Sequence, residues 1–107
     1  MITVTIVRKA ETMSLEVSGH AGFAPAGRDI VCAAASILAY TAGELALDME
    51  RRGQLLGPPA VKMQPGEAVV RLTPRNRPRA EIGLETIGCG FALLAKKYPR
   101  CIRVTER

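Results

Sequence analysis

The feature that most constrains this chain is a run from about Ile30 to Arg52 in which Ile30, Ala34, Ile37, Leu38, Thr41, Leu45 and Met49 recur at helical core spacing. Asp29 stands just before it, where a carboxylate accepts from the backbone N–H of Val31 or Cys32 and caps the helix. Arg51-Arg52-Gly53 closes it, with cations in the last turn and a glycine beyond them. A helix of this length is the central packing element, and the remaining segments must supply a surface for it. With 107 residues and no linker or low-complexity stretch, residues 1–107 are expected to form one domain around one core.

That surface is written in period-two segments. Ile2-Thr3-Val4-Thr5-Ile6-Val7 alternates with Ile2, Val4 and Ile6 inward, and Ser14 to Ser18 alternates with Leu15 and Val17 inward. The short polar join from Arg8 to Thr12 makes these two a hairpin. Beyond Gly57-Pro58-Pro59, Ala60 to Met63 and Glu67 to Thr73 form a second hairpin about Gln64-Pro65-Gly66. A second helix is predicted over Ala80 to Tyr98, carrying Ile82, Ile87, Phe91, Leu94 and Ala95 and stopped by Pro99. Gly83, Gly88 and Gly90 weaken it unless they permit close packing. Cys101 to Thr105 reads as a last strand with Ile102 and Val104 inward. The order ββαββαβ predicts an α+β fold, a mostly antiparallel sheet packed against two helices that cover one face.

Composition narrows the functional classes. No apolar run reaches the roughly 18 residues that cross a bilayer, and the N-terminus alternates where a signal peptide would be continuously apolar, so the expected location is cytoplasmic. Three cysteines, none in a Cys-x-x-Cys pair, indicate neither a disulfide framework nor a thioredoxin-type motif. Cys89 and Cys101 lack a histidine at ligand spacing, so packing is the better account of both, and no metal and no cofactor are expected. A net charge of +5 biases partners towards anionic surfaces such as ribosomal RNA. The basic stretch Arg75-Asn76-Arg77-Pro78-Arg79 reads as a loop without aromatic interleaving, open to solvation and to phosphate contact.

The chemistry gathers at the entrance to the long helix. Residues 19–29 hold three glycines and a proline, which excludes helix or strand and suits a substrate-contacting loop, with Gly19, Ala21, Gly22, Phe23 and Gly27 admitting an extended peptide. His20, the only histidine, lies just beyond a strand end, and any Cys–His mechanism within one chain must use it. Cys32 falls in the first helical turn, where unpaired N–H groups and the helix dipole favour thiolate and offer stabilisation to an oxyanion. In this pairing His20 takes the thiol proton, Cys32 attacks a peptide carbonyl, and His20 returns the proton to the leaving amine. Asp29 either orients His20 or only caps the helix, and Ser36, one turn after Cys32, is a second supporting residue.

The strings Gly19-His20-Ala21-Gly22-Phe23-Ala24 and Gly27-Arg28-Asp29-Ile30-Val31-Cys32-Ala33-Ala34-Ala35-Ser36 resemble the signature of the ribosomal-processing cysteine proteases. These are small bacterial proteins that remove an N-terminal extension from a large-subunit ribosomal protein. The resemblance implies Cys32 as nucleophile, His20 as general base and acid, a ribosomal-protein extension as substrate, and a homodimer. The competing reading from another class is a non-enzymatic ribosome-associated or RNA-binding module that uses the basic surface.

Overall fold

A computed structural model describes Met1–Arg107. Its elements are β1 (Ile2–Arg8), β2 (Met13–Ser18), α1 (Ile30–Arg51), β3 (Ala60–Gln64), β4 (Glu67–Leu72), α2 (Arg77–Lys97) and β5 (Ile102–Glu106). The strands form one sheet in the order β3-β4-β2-β1-β5. Three of the four pairings are antiparallel, with Ile6 opposite Leu15, Leu15 opposite Val70 and Val70 opposite Val61. β5 runs parallel to β1 and sets Ile102 beside Ile2. The predicted order and the single covered face are those of the molecule.

The alternation read from the strands is the alternation of the core. Ile2, Val4, Ile6, Leu15, Val17, Val70, Leu72 and Ile102 are buried on one face, where Phe91, Leu84 and Met49 fill the space beneath the helices. Thr3, Thr5, Ser14 and Glu16 point the other way, and that open face is polar, carrying the Arg71–Glu16 and Lys62–Glu67 ion pairs.

The phase of α1 differs from the expected one. Its buried stripe is Val31, Ala35, Ala39, Ala42, Ala46 and Met49, whereas Ile30 and Ile37 are exposed. The physical reason is distance: a stripe of alanines lets the helix backbone lie close on the sheet, and the larger side chains have to go elsewhere. Leu38 and Leu45 turn towards α2, where Gly90 and Gly83 leave room for them; a Cβ at Gly90 would stand 2.7 Å from the Leu38 Cδ2. The glycines that weaken α2 in isolation are therefore its sockets for α1. By length and by a mean hydropathy of 1.7, α1 is apolar enough to cross a membrane, which no continuous apolar run suggests; here it is the core helix.

Both ends of α1 are closed as read. Gly53 has φ +69°, and the N–H groups of Gly53 and Gln54 return to the carbonyls of Glu50 and Met49. α2, by contrast, begins three residues earlier than expected. Asn76 is its cap and accepts from the Arg79 N–H, and Pro78 fits because the first turn has no use for its missing N–H. The basic stretch is thus half helix. Arg77 donates to the carbonyls of Ala10 and Lys9 in the β1–β2 turn, and Arg79 donates to Gln54 and Asp48 at the end of α1. Ile82 is exposed, and Leu84 takes the core position instead. Cys101 packs partly against the core, but Cys89 is exposed on α2, so packing does not account for it.

Candidate active site

β2 delivers His20 two residues past its last ladder pairs, at Ser18. The Gly19 N–H donates to the Gly66 carbonyl at 2.9 Å, which fastens the chain to the β3–β4 turn just before the histidine. Gly19 has φ +93°, and a side chain there would run into the Met1 carbonyl, so the crossing needs glycine. His20 then projects, exposed, over Gly66.

Asp29 gathers the loop and the helix into one unit. Its Oδ1 accepts from Val31 and Cys32 at 3.0 and 2.9 Å, and its Oδ2 accepts from Phe23 and Ala24 at 3.0 and 3.3 Å. The Cys32 N–H above all, against some desolvation and with help from the Ala24 and Phe23 N–H groups, holds this carboxyl below the ordinary aspartate value. Four backbone donors occupy the carboxylate, and no hydrogen bond or ion pair joins it to His20. The cap reading of Asp29 is thus the one with contacts behind it.

Cys32 sits half-buried in the first turn, and its Sγ accepts from the Ala21 N–H at 3.3 Å. Two hollows open beside it. One, of about 220 Å3, runs along Ile2, Tyr40 and Met63 to the β3–β4 turn; the other lies between the loop, at Gly22, Ala24 and Gly27, and Asp29. His20, Cys32 and Ser36 are the three residues that line both. The sequence-predicted pair and Ser36 thus form the wall common to the two depressions.

The loop residues divide. Gly19 borders the first hollow and Gly22 and Gly27 the second, while Ala21 is buried. Phe23 packs edge-on against Tyr98 at the end of α2, with ring centroids 5.4 Å apart, so it braces the loop. Gln64, Pro65, Gly66 and Glu67 line the first hollow, and sequence reasoning missed them as site residues. Their only local signal is the Pro-Gly turn. What brings that turn to His20 is the pairing of β4 with β2, which no local pattern announces.

Residues 1–103 match the family described as cysteine protease Prp. No curated protein matches the sequence. Among solved structures, the chain resembles an essential ribosomal processing protease Prp from S. aureus, bound to a covalently linked product peptide. That likeness has 24% identity and a TM-score of 0.80 over the whole of both chains. The same S. aureus protease with a substrate peptide matches at 23% identity and a TM-score of 0.75, again over both chains entirely. SMU.848 from Streptococcus mutans matches at 25% identity and a TM-score of 0.66, covering 99% of this chain and 93% of that one.

Proposed function

The chain belongs to the cysteine protease Prp family, and on that premise we propose that it is an endopeptidase with Cys32 as nucleophile and His20 as general base and acid. The observation that carries this reading is that His20, Cys32 and Ser36 line both hollows, which can take the two sides of a peptide bond laid across them. His20 takes the thiol proton and the sulfur attacks the carbonyl carbon. The leaving amine receives the proton as the C–N bond breaks, and water then hydrolyses the thioester. Ser36 supports the pair from one turn further along α1, and Asp29 holds the loop and helix around it.

The substrate we propose is the N-terminal extension of a large-subunit ribosomal protein, cut in the cytoplasm before assembly. The S. aureus relative, a ribosomal processing protease captured with substrate and product peptides, supports this choice. We further propose that the protein works as a homodimer joined through the outer side of its helices, where Ile37, Ile82 and Leu93 are each more than half exposed. Contact with ribosomal RNA would fall to cations other than Arg77 and Arg79, which are engaged within the fold.

The test is incubation with a large-subunit ribosomal protein carrying its extension, with cleavage followed by mass spectrometry. Cleavage at one bond is expected, falling by at least about a thousandfold in Cys32→Ala and in His20→Ala. Equal cleavage by Cys32→Ala and the unaltered protein would remove the nucleophile assignment.

A further inference from the structure

The start of α1 has fewer free donors near Cys32 than its position suggests. The N–H groups of Val31 and Cys32 are both taken by the Asp29 carboxylate, and that of Ala33 by the Asp29 carbonyl at 3.0 Å. The cap also brings a negative charge to the positive end of the helix dipole. These three N–H groups, the ones nearest Cys32, are therefore not free to hold an anion there.

One backbone donor is aimed at the sulfur: the Ala21 N–H, 3.3 Å from Sγ. Ala21 is 5% exposed, so water competes poorly for its N–H. It is also braced on both sides. Two residues earlier Gly19 is tied to Gly66, and two residues later Phe23 is tied to Asp29. A donor that is buried, fixed and directed at the reacting atom is the arrangement that stabilises developing charge without reorganising.

We propose that the Ala21 N–H is the catalytic anion donor of this site, holding the Cys32 thiolate and then the oxyanion that forms from it. This rests on the reading of Cys32 as nucleophile. His20 removes the Sγ proton, leaving the charge on sulfur. As the S–C bond forms, the carbonyl π pair moves to oxygen, and the charge passes to an atom two bonds away from Sγ, which the same N–H meets without leaving its place. Collapse re-forms the C=O, the C–N bond breaks, and the amine takes its proton from His20. The titratable groups facing this centre are His20, Asp29, Tyr40 and Glu67.

Cys32 is itself a ligation junction, so a synthetic segment ending at Val31 joins to residues 32–107 to rebuild the full chain. Replacing Ala21 by lactic acid turns its amide into an ester, deleting one N–H and keeping the methyl group; an ester at exposed Ala10 is the control. Iodoacetamide labelling of Cys32, with Cys89 in the same molecule as reference, is expected to slow about tenfold at pH 7, its profile moving to higher pH. Turnover is expected to fall roughly a hundredfold with KM little changed.

In the unmodified protein, the Ala21 amide proton is expected to shift in NMR with the same midpoint as Cys32 labelling. An amide that stays still while the thiol titrates, or an ester variant that labels and cleaves like the all-amide protein, overturns the proposal. Slower labelling with unchanged turnover per thiolate overturns its oxyanion half. If the all-amide protein cleaves no extended ribosomal protein, the substrate reading fails, and labelling and NMR still judge Ala21.

Discussion

Gly66 and His20 occupy one another's space: a Cβ on Gly66 would stand 3.0 Å from the imidazole Nε2 and 3.3 Å from Cε1. The turn between β3 and β4 is in this sense the floor on which the histidine rests. Its backbone, at φ +77°, also sits where side chains are strained. Gly66→Ala should therefore do two separable things. The strain costs about 1 kcal/mol of stability, and the methyl displaces the imidazole from its resting place. Gly53→Ala supplies the comparison, since Gly53 has φ +69° and nothing within 4 Å of the missing Cβ. Both variants should lose similar stability in urea. Only Gly66→Ala should lose kcat, by roughly tenfold to a hundredfold, and equal kcat values would show that the floor does not position His20.

Asp29 gives the fold a dependence on acid. Its carboxyl lies below the ordinary value of 3.8, chiefly through the Cys32 N–H, so the folded state binds this proton less readily than the unfolded chain. The stabilisation is present in full above about pH 4 to 5 and is lost as the pH falls below 3.8 through the lower folded value. Asn at this position still caps a helix but offers an N–H2 where Phe23 and Ala24 need an acceptor. Asp29→Asn should thus flatten the fall in urea midpoint between about pH 4 and pH 2. At neutral pH it should loosen residues 23 and 24, seen as faster amide exchange there. An unchanged acid slope would assign that slope to other carboxylates.

How far the sequence could be read depended on whether the deciding contact was local. The strands were legible because Ile2, Val4 and Ile6 alternate within a single element. That His20 and Cys32 would line common hollows was legible because loop, cap and helix start lie within thirteen residues of one another. The inward face of α1 was not, since Ile30 and Ile37 make as good a periodic stripe as Val31 and Ala35. The sheet chose the smaller one because it lets the helix approach. Gly66 was out of reach for the same reason, as the β2–β4 pairing that seats it under His20 spans some fifty residues.

The helix sockets can be tested by filling them. Leu38 and Leu45 of α1 lie where side chains at Gly90 and Gly83 of α2 would stand. Alanine at either site gains helix propensity of about 1 kcal/mol while displacing only the mobile end of a leucine, so its net effect is small. Valine adds branched bulk that the leucine cannot clear by one rotamer change. Gly90→Val should cost roughly 1–3 kcal/mol in urea unfolding, and pairing it with Leu38→Ala should recover part of that loss. Full additivity of the two changes would show that they do not share the socket.

The basic stretch separates a structural cation from a nucleic-acid contact. Arg79 bridges Gln54 and Asp48, and with Arg52 and Arg51 beside the same carboxylate it draws the start of α2 onto the end of α1. Arg77 ties α2 to the β1–β2 turn and pairs with Glu81. A guanidinium held by carbonyls and carboxylates is poorly placed to neutralise a phosphate as well. Replacing both by Gln should therefore lower the melting temperature by about 3–6 °C. It should leave unchanged the slope of log affinity against log salt for any bound RNA. Each lost phosphate contact would flatten that slope by about 0.7 to 0.9. A flattening near 1.5 for the double variant would mean that both arginines leave their protein partners for the nucleic acid.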